Sequence, residues 1–380
     1  MNILHICITG HFTEGMTYQE NMLADQHILD GHQVTIITDS YKYKDGKLFY
    51  CNDEDIVTNS GIRIIRRRYH KYFNSFFSDK IARIDGLYNI IARIKPDIIM
   101  YHSVFGQAMV PTAEYLKKHP DVSFYIDCHE SFNNSGRNFI SRNIEYRIIQ
   151  KHYFDKLRPY VKRVFAIAYD CYDFLNRMYG IPNSMIEDFP LGGTIISLNE
   201  KKNRRDKVRK DLNIGEDDIV FMHSGKLVPE KRTKELLNVF SMNKYKNIKI
   251  IIVGSIPEAQ KNDLLELISK DDRVCYVGWK NGDDLLSYLC ASDIYIQPGT
   301  ESATLQNALC AGCAVAVYPY NDYKYLLGNI CKYIETSNDI FELFNKVANG
   351  NIDIKMWKNK SLLFASENLD YKKLATRLYS

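Results

Sequence analysis

Residues 293–317 constrain the fold of this chain more than any other stretch. Their sequence is DIYIQPGTESATLQNALCAGCAVAV. The pattern predicts, in order, a buried strand at 293–297, a sharp Pro298-Gly299 turn, a short helix beginning near Glu301, a stop at Gly312 and a second buried strand at 313–317. A strand–loop–helix–strand unit of this kind belongs to a parallel sheet with helices packed against it.

The loop before the predicted helix carries the small hydroxylated residues Thr300, Ser302 and Thr304. At the carboxyl edge of a parallel sheet, the free amides and the dipole of a helix N-terminus favour phosphate. A diphosphate could therefore approach this backbone closely. The same hydroxyls followed by Gln306 are also typical of an ordinary helix cap, and the pattern alone leaves both interpretations open.

Length and charge limit the proteins to which this unit can belong. A chain of 380 residues is too long for one ordinary core, so we expect two domains. The 50 basic and 46 acidic residues leave a net charge of only +4. This balance does not indicate a strongly basic nucleic-acid-binding protein.

The cysteines and the hydropathy indicate a cytoplasmic protein. The nine cysteines lie mostly in apolar stretches without paired CxxC modules, so we expect reduced core residues. Cys310 and Cys313 form one CxxC, but they flank Gly312 at a helix end, which favours packing over redox or metal chemistry. No apolar run reaches ~18 residues, and the chain enters a strand directly, so we expect neither a spanning helix nor a signal peptide.

The first half of the chain alternates predicted strands and helices. The strands are expected at 2–8, 33–38, 62–65, 97–101, 122–126 and 163–168, and the helices at 16–29, 78–94, 105–118 and 139–157, with a polar excursion at 40–60. This order predicts a doubly wound sheet of six or seven strands. The first turn, TGHFTEGM, lacks G-x-G-x-x-G spacing, so a dinucleotide fingerprint is not supported.

The pattern breaks at residues 189–193, FPLGG, and then restarts. The charged stretch 201–210, KKNRRDKVRK, predicts a solvated helix face just inside the second domain. The second domain is expected to contain strands 219–224, 248–253 and 274–277 and helices 233–240, 258–269 and 282–290, followed by the 293–317 unit. We therefore predict an N-terminal domain at 1–192, a C-terminal domain at 193–365, and a C-terminal helix at 366–380 that crosses back to the first domain.

These residues carry a resemblance to a known family. The stretches SGKLVPEKRTKELL, IIIVGSIPE, RVCYVGW, LLSYLCASDIYIQPG and ALCAGCAVAV follow one another as in GT-B glycosyltransferases of family 4. In the first domain, TEGMTYQENMLADQHILDGHQVTIIT, PDIIMYHS and YIDCHES resemble the glycine loop and strand ends of the same family. The resemblance implies an α/β protein of two doubly wound Rossmann-like domains facing across a cleft.

The resemblance also implies an activity. Members of this family are retaining, sugar-nucleotide-dependent transferases that work without a bound metal or cofactor, and we expect a UDP-sugar as donor. The expected acceptor is a glycan or a lipid-linked glycan. The compositional bias towards Ile, Lys, Asn and Tyr suggests an AT-rich bacterial source, where such enzymes commonly build surface polysaccharide or glycoconjugates.

Lys226 and Lys231 follow the predicted strand 219–224 by a few residues. Two cations there could neutralise a diphosphate as its bond to the sugar breaks, and the family places two basic residues here for that purpose. Arg232 is a possible substitute for Lys231. Without the resemblance, a solvated basic loop would be the better interpretation.

His129 ends a predicted buried strand, and the resemblance implies that it contacts the donor sugar near the reaction centre. A lone histidine is more often structural, and His5, His32 and His102 are competing candidates. Gly15 would let the first-domain loop approach the donor phosphates, because it has no Cβ.

The 293–317 unit departs from the family pattern of two glutamates eight residues apart. Glu301 corresponds to the first, which lies near the sugar hydroxyls. The position of the second, which binds the ribose, falls on Asn307. Asn307 or Gln306 could replace the acid with an amide that still hydrogen-bonds two hydroxyls.

We therefore predict two groups of site residues. The catalytic group is His129, Lys226, Lys231 and Glu301. The donor-binding group is Gly15, Gly225, Arg232, Thr300, Ser302, Ala303, Thr304, Gln306 and Asn307. No metal ligands are predicted. The missing second glutamate keeps a non-catalytic partner subunit of a glycosyltransferase complex as the alternative, with a nucleotide-sugar epimerase as a weaker third.

A basic and aromatic segment in the first domain suggests a membrane contact. It consists of Arg66, Arg67, Arg68, Lys71, Phe73, Phe76 and Phe77. Cations beside aromatic side chains suit an anionic bilayer surface, which would place the protein peripherally on the inner face of the membrane. The alternative is a solvated strand end followed by a helix that buries its aromatic residues.

Overall fold

The chain divides into two compact units in the computed structural model, which describes residues 1–44 and 47–379. The first unit contains Met1–Pro190 and the described residues from Leu374 onward, and the second contains Leu191–Lys373. Positions 45–46 of the predicted polar excursion and position 380 of the predicted C-terminal helix lie outside the described residues.

The first unit is built on a twisted, mostly parallel sheet. Its strands are β1 Asn2–Cys7, β2 Gln33–Thr38, β3 Tyr41–Lys44, β4 Lys47–Tyr50, β5 Glu54–Val57, β6 Arg63–Arg66, β7 Ile98–Tyr101, β8 Ser123–Cys128, β9 Arg163–Ala166 and β10 Ile186–Asp188. Eight of them form one sheet in the order β10-β9-β8-β7-β1-β2-β6-β5, and β3 and β4 form a separate antiparallel hairpin. Only β5 runs antiparallel to its neighbour in the large sheet.

This sheet has more strands than the six or seven that the sequence predicted. The additional strands are the edge strands β5 and β10, which are short and partly exposed. Neither contains the continuous apolar run that identifies a buried parallel strand, so the hydropathy pattern does not reveal them.

Helices cover both faces of the first sheet. They comprise Gln19–Leu29, Ser75–Ile81, Leu87–Ile94, Met109–Lys118, Ser141–Gln150, Lys151–Leu157, Arg158–Tyr160, Tyr169–Phe174, Leu175–Tyr179 and Asn183–Met185. The helix predicted at 78–94 is in fact two helices, because Ala82 adopts a left-handed φ of 48° and ends the first. Gly86, with a φ of 71°, precedes the second.

The second unit contains a six-stranded sheet in which all the observed pairs are parallel. Its strands are β11 Ile219–Ser224, β12 Ile248–Val253, β13 Val274–Tyr276, β14 Ile294–Gln297, β15 Ala314–Val317 and β16 Lys332–Tyr333. Their order is β13-β12-β11-β14-β15-β16. The predicted strands at 219–224 and 248–253 coincide with β11 and β12, because both are buried apolar runs.

The helices of the second sheet complete the alternation. They comprise Leu198–Asp211, Pro229–Lys231, Thr233–Met242, Glu258–Gln260, Lys261–Ser269, Gly282–Ala291, Thr304–Cys310, Asn321–Leu327, Ser337–Ala348, Ile354–Asn368 and Tyr371–Thr376, the last of which ends in the first unit. The helix expected near Glu301 begins three residues later, at Thr304. No described helix has the length and apolarity that crossing a bilayer requires.

Each sheet has one position at which the strand order reverses. In the first it lies between β1 and β7, and in the second between β11 and β14. Loops that leave the carboxyl ends of strands at such a position diverge to opposite faces and leave a crevice for ligands. Apart from His129, which follows the neighbouring strand β8, the candidate site residues lie in these loops or at the helix that follows them.

Candidate functional site

In the second unit, the loops that follow β11 and β14 are locked together. The amide of Thr300 donates to the carbonyl of Glu230 at 2.9 Å. A Cβ added to Gly299 would lie only 2.1 Å from the same oxygen, so this turn can carry only glycine. Backbone contact therefore fixes the predicted Pro298-Gly299 turn against the loop that carries the predicted cations.

Lys231 is buried in this contact. Its side chain is 7% exposed, and its Nζ donates to the carbonyl oxygens of Thr300 at 3.0 Å and Glu301 at 2.6 Å. Burial lowers the pKa of Lys231, and the charge of Glu301 opposes that shift. The two carbonyl oxygens therefore hold the Lys231 amine beside residues 300–301 and accept its hydrogen bonds without neutralising its charge.

The other predicted basic residues are placed differently. Lys226 is exposed in the loop after β11. Arg232 forms two hydrogen bonds of 2.7 Å to the carboxylate of Glu235 and another of 2.8 Å to the carbonyl of Pro298. Its guanidinium therefore already supports the turn. The side chain of Lys231 passes over Gly225, where an added Cβ would lie 3.3 Å from the lysine Cε.

Two tyrosines that the sequence analysis did not select hold the loop before the helix Thr304–Cys310. The hydroxyl of Tyr295 donates to Ser302 Oγ at 3.0 Å, and the amide of Ser302 donates to the hydroxyl of Tyr323 at 2.7 Å. Ser302 Oγ also accepts the Thr304 amide at 3.3 Å, while Ala303 beside them is exposed. Ser302 therefore serves the turn itself, and neither tyrosine has a sequence signature.

Glu301, Gln306 and Asn307 occupy three different surroundings. Glu301 is exposed beside Lys231. Gln306 is buried, and its Oε1 has no hydrogen-bond partner among the described residues. Asn307 is half-buried, and its Oδ1 would lie 3.0 Å from a Cβ added to Gly193. Glu301 therefore lies close to Lys231, whereas the Asn307 oxygen faces Gly193 in the first segment of the second unit.

In the first unit, His129 lies at the end of a buried hydrogen-bonded chain. Its Nε2 is 3.4 Å from Oδ1 of Asp127, whose Oδ2 is 2.6 Å from Nδ1 of His102. The other nitrogen of His102 is 2.9 Å from Nδ1 of His5. The resemblance indicated that His102 and Asp127 lie at strand ends, but the sequence gave no sign that they bind each other.

The charged groups in this hydrogen-bonded network determine the protonation of Asp127 and His129. Burial alone would raise the pKa of Asp127, but His102 and His129 outweigh it and hold that pKa well below its usual range. Burial alone would lower the pKa of His129, but Asp127 raises it to about 9. With 34% of its side chain exposed, His129 can present a protonated ring to a ligand.

His102, Asp127 and His129 also place three potential metal-ligand atoms within 4.8 Å of one another. The Asp127 oxygens already accept hydrogen bonds, one from His102 and one from the Ser103 amide at 2.9 Å. His102 is engaged on both nitrogens. This donor set is therefore better explained as a hydrogen-bonded network than as a set of metal ligands.

Gly15 lies in the first unit, between β1 and the helix Gln19–Leu29. It has a φ of 78°, in the left-handed region that favours glycine. It lines a pocket of about 440 Å³ with Phe12 and Asn21, whereas His129 lines another of about 380 Å³.

The basic and aromatic segment requires one correction. Arg66 is fully buried, and it bonds Glu54 at 2.6 Å and Glu14 at 2.7 Å. A side chain in this position cannot touch a bilayer, so the prediction for Arg66 was wrong. Two acids distant in sequence compensate its charge inside the protein.

The other residues of the basic and aromatic segment are more exposed to solvent than Arg66. Arg67 is half-buried, and Arg68 and Lys71 are exposed. Phe73 is 95% exposed, and Phe76 and Phe77 also face solvent. The helix Ser75–Ile81 therefore does not bury its aromatic residues.

Comparisons with known proteins identify a glycosyltransferase family model that matches part of the chain and solved structures that share its fold. Residues 204–348 match the model of the family described as glycosyl transferases group 1. This segment contains β11 to β16 with the Lys231 and Glu301 loops. The family match supports glycosyl transfer as the activity. No curated protein sequence matches the chain significantly.

Solved structures share the fold over the whole chain. HepE from Anabaena in complex with UDP has a TM-score of 0.67 at 14% identity, covering 100% of this chain and 98% of that one. A glycosyltransferase from Rickettsia africae has a TM-score of 0.67 at 14% identity, with 99% and 95% covered. Sucrose-phosphate synthase from Thermosynechococcus elongatus has a TM-score of 0.66 at 12% identity, with 99% and 97% covered. At such identities the likeness concerns the fold, which is that of two Rossmann-like GT-B domains.

Proposed function

We propose that this protein transfers a hexosyl or related sugar from a nucleotide-sugar donor to a glycan or lipid-linked glycan. A UDP-sugar is the preferred donor, and the configuration at the anomeric carbon is retained as in family 4 glycosyltransferases. The pathway is bacterial surface polysaccharide or glycoconjugate synthesis. The observation that carries this proposal is the buried Lys231 amine held against Thr300 and Glu301 inside the segment that matches the glycosyl transferases group 1 model.

The reaction requires a positive charge where the leaving diphosphate develops its negative charge. Lys231 is fixed by two carbonyl oxygens, so little reorganisation is needed when the sugar–oxygen bond breaks. Lys226 is exposed and can add a second cation to the phosphates. We assign the donor phosphates to the loops that carry Gly225, Lys226, Lys231 and Thr300.

The sugar side is assigned to Glu301 and His129. Glu301 is exposed beside the Lys231 loop, so its carboxylate can accept hydrogen bonds from hydroxyl groups of the sugar. His129 has a pKa of about 9 and is protonated at neutral pH, so it can donate a charged hydrogen bond. Asn307 and Gln306 are assigned to the ribose. Their side-chain amides replace the second glutamate of the family pattern.

A titration of nucleotides tests this assignment and the class of protein together. UDP, GDP and CMP are titrated into the parent, Glu301→Gln and Asn307→Ala, and UDP-sugar consumption is followed in parallel. We expect UDP to bind the parent. Glu301→Gln should keep that affinity but lose most of the turnover, and Asn307→Ala should weaken it by about 1 to 2 kcal/mol.

The alternative is a partner subunit without catalytic activity, and Asn307 in place of the ribose acid is the observation that favours it. Such a subunit would bind none of the three nucleotides and would consume no donor. That result would contradict the transferase. Nucleotide binding that is lost in Glu301→Gln, or unchanged in Asn307→Ala, would contradict the residue assignments while leaving the activity in place.

The membrane contact is proposed without Arg66. Arg68, Lys71, Phe73, Phe76 and Phe77 are all exposed on the first unit, and cations beside apolar side chains are complementary to anionic lipid. The neighbouring helix Ser141–Gln150 is joined to this segment by an ion pair of 2.8 Å between Lys80 and Glu145. This helix and the two residues before it expose five further apolar side chains: Phe139, Ile140, Ile144, Ile148 and Ile149.

A further inference from the structure

Arg232 has a backbone conformation that is unusual for its residue type. It lies between the short helix Pro229–Lys231 and the helix Thr233–Met242, and its φ of 56° and ψ of 28° belong to the left-handed region. Glycine adopts this region freely, whereas a residue with a Cβ adopts it at an energetic cost. Such strain persists only where the surrounding structure compensates for it. We therefore examined what the side chain of Arg232 contacts.

The guanidinium of Arg232 joins several segments of the second unit. Its Nε and Nη2 each donate to the carboxylate of Glu235 at 2.7 Å. Its Nη1 donates to the carbonyl oxygens of Pro298 at 2.8 Å and Glu335 at 2.9 Å. Its central carbon lies 5.8 Å from the centroid of the Tyr318 ring. One side chain thus connects the segments that follow β11, β14, β15 and β16, which are neighbours in the sheet.

Glu235 fixes the orientation of this guanidinium. Its carboxylate accepts two parallel hydrogen bonds from Arg232, and it also accepts one from the hydroxyl of Ser337. A bidentate pair of an arginine and a carboxylate has a specific geometry, because both groups are planar. The pair therefore directs Nη1 of Arg232 towards the two carbonyl oxygens.

These contacts leave little of the guanidinium for a ligand. A guanidinium has five N–H donors, and four hydrogen bonds to protein atoms start from that of Arg232. The sequence analysis placed Arg232 among the donor-binding residues. The structure instead connects it to the Pro298-Gly299 turn, and the next carbonyl oxygen along the chain, that of Thr300, accepts from the Lys231 amine.

We propose that Arg232 is a positioning residue, which holds the Pro298-Gly299 turn so that Lys231 and Thr300 meet the donor diphosphate in a fixed arrangement. Arg232 does not bind the diphosphate itself. This inference rests on the proposed function, in which the loops of Lys231 and Thr300 bind the donor phosphates. Loops that are already ordered bind and stabilise charge without a further cost of ordering. The strain at Arg232 is thus compensated by contacts that serve the site.

Three substitutions of Arg232 in the whole protein test this role. Arg232→Ala removes the guanidinium and keeps the left-handed strain, whereas Arg232→Gly removes both. Arg232→Lys keeps the charge but lacks the planar group that makes the four bonds. The affinity for UDP, the turnover of a UDP-sugar and the Tm are measured for each. The control is Arg205→Ala, which removes an arginine that pairs with Glu216 at 2.9 Å in the same unit.

We expect the UDP affinity and the turnover to fall tenfold or more in all three variants and to stay unchanged in Arg205→Ala. The Tm of Arg232→Gly should lie above that of Arg232→Ala, because glycine fits the left-handed conformation, but the two should bind UDP equally weakly. A purely structural role predicts instead that the affinity recovers together with the Tm. Direct binding of phosphate predicts that Arg232→Lys keeps most of the affinity.

Hydrogen exchange of the nucleotide-free protein supplies an independent measurement. The Thr300 amide donates to the Glu230 carbonyl across the turn, so peptides that contain Thr300 should exchange faster in Arg232→Gly than in the parent. Unchanged exchange there would overturn the inference.

The binding data can also overturn it. UDP affinity that recovers in Arg232→Gly, that persists in Arg232→Lys or that falls equally in Arg205→Ala would each do so, and a parent that binds and consumes its donor would leave the proposed function standing. A parent that binds no nucleotide would contradict the proposed function and this inference with it.

Discussion

Lys231 is a buried charge that holds a loop in place, and we propose that it also acts on the substrate. Its amine donates to two carbonyl oxygens of the loop that follows β14, so it holds that loop as well as offering a cation to it. Carbonyl oxygens stabilise the ammonium without cancelling its charge. A group arranged in this way keeps its electrostatic effect for a ligand that carries negative charge.

We expect Lys231→Ala to lower turnover by roughly a hundredfold or more, because one preorganised cation at a developing charge contributes on the order of 3 kcal/mol. The matched control is Lys234→Ala, an exposed lysine in the next helix whose ion pair with Asp263 lies at the surface. Lys226→Ala should resemble Lys231→Ala. Turnover of the Lys231 variant within a fewfold of the parent would exclude the catalytic role.

For individual residues, the sequence indicated which side chains are candidates for a site, but it did not predict which side chains contact one another. The stretches with His102 and Asp127 were predicted only to be strand ends, and the structure pairs β7 with β8 and joins the two side chains. Arg66 was expected at the surface because charged residues usually lie there, yet Glu14 and Glu54 compensate it internally. Such pairing joins positions far apart in the chain, and no local pattern encodes it.

Among the secondary-structure elements, buried strands were the most predictable. The least predictable were helix ends whose position depends on tertiary contacts of the preceding loop. β11 and β12 have the predicted bounds because a strand covered on both faces is a continuous apolar run. The helix Thr304–Cys310 begins later than predicted because Lys231 and Tyr323 hold the backbone of residues 300–302 in a turn. These tertiary hydrogen bonds add to the local one that Ser302 Oγ accepts from the Thr304 amide.

The helix Ser75–Ile81 leads to a prediction about lipid. We expect the protein to float with vesicles of phosphatidylcholine and phosphatidylglycerol, and to be recovered much less with phosphatidylcholine alone. The double variant Phe73→Ser/Phe76→Ser should lose recovery roughly tenfold or more, because burying each aromatic side chain contributes on the order of 1.5 to 3 kcal/mol. The control is Trp279→Ser, which alters an aromatic residue of the second unit whose exposure lies between those of Phe73 and Phe76.

Two observations would contradict this contact. Equal recovery with neutral and anionic vesicles would refute the electrostatic part, which requires Arg68 and Lys71 to meet anionic lipid. Equal loss of recovery in the Trp279 control would show that general surface apolarity, and not this segment, determines the binding.

At the scale of the whole molecule, the chain builds two separate cores and returns to the first one at its end. The described residues from Leu374 onward belong to the first unit, although the sequence places them after the second. Arg377 bonds the carbonyl of Asp188 at 2.6 Å and the carboxylate of Glu187 at 2.9 Å, and it lies over the rings of Phe165 and Phe189. The C-terminal residues are therefore packed onto the first unit.

Leu378 provides the sharpest test of that organisation, because its side chain is buried near the very end of the chain. Leu378→Ala should destabilise the first unit by about 2 to 5 kcal/mol, the usual cost of truncating a buried leucine. Hydrogen exchange measured by mass spectrometry should then speed up in peptides that contain β1 and β2 and stay unchanged in those that contain β11 and β12. Leu363→Ala, an exposed leucine of the second unit, is the control and should change neither. Because each unit has its own sheet and core, faster exchange in both sets of peptides would mean that the two cores open together, which contradicts the division described here.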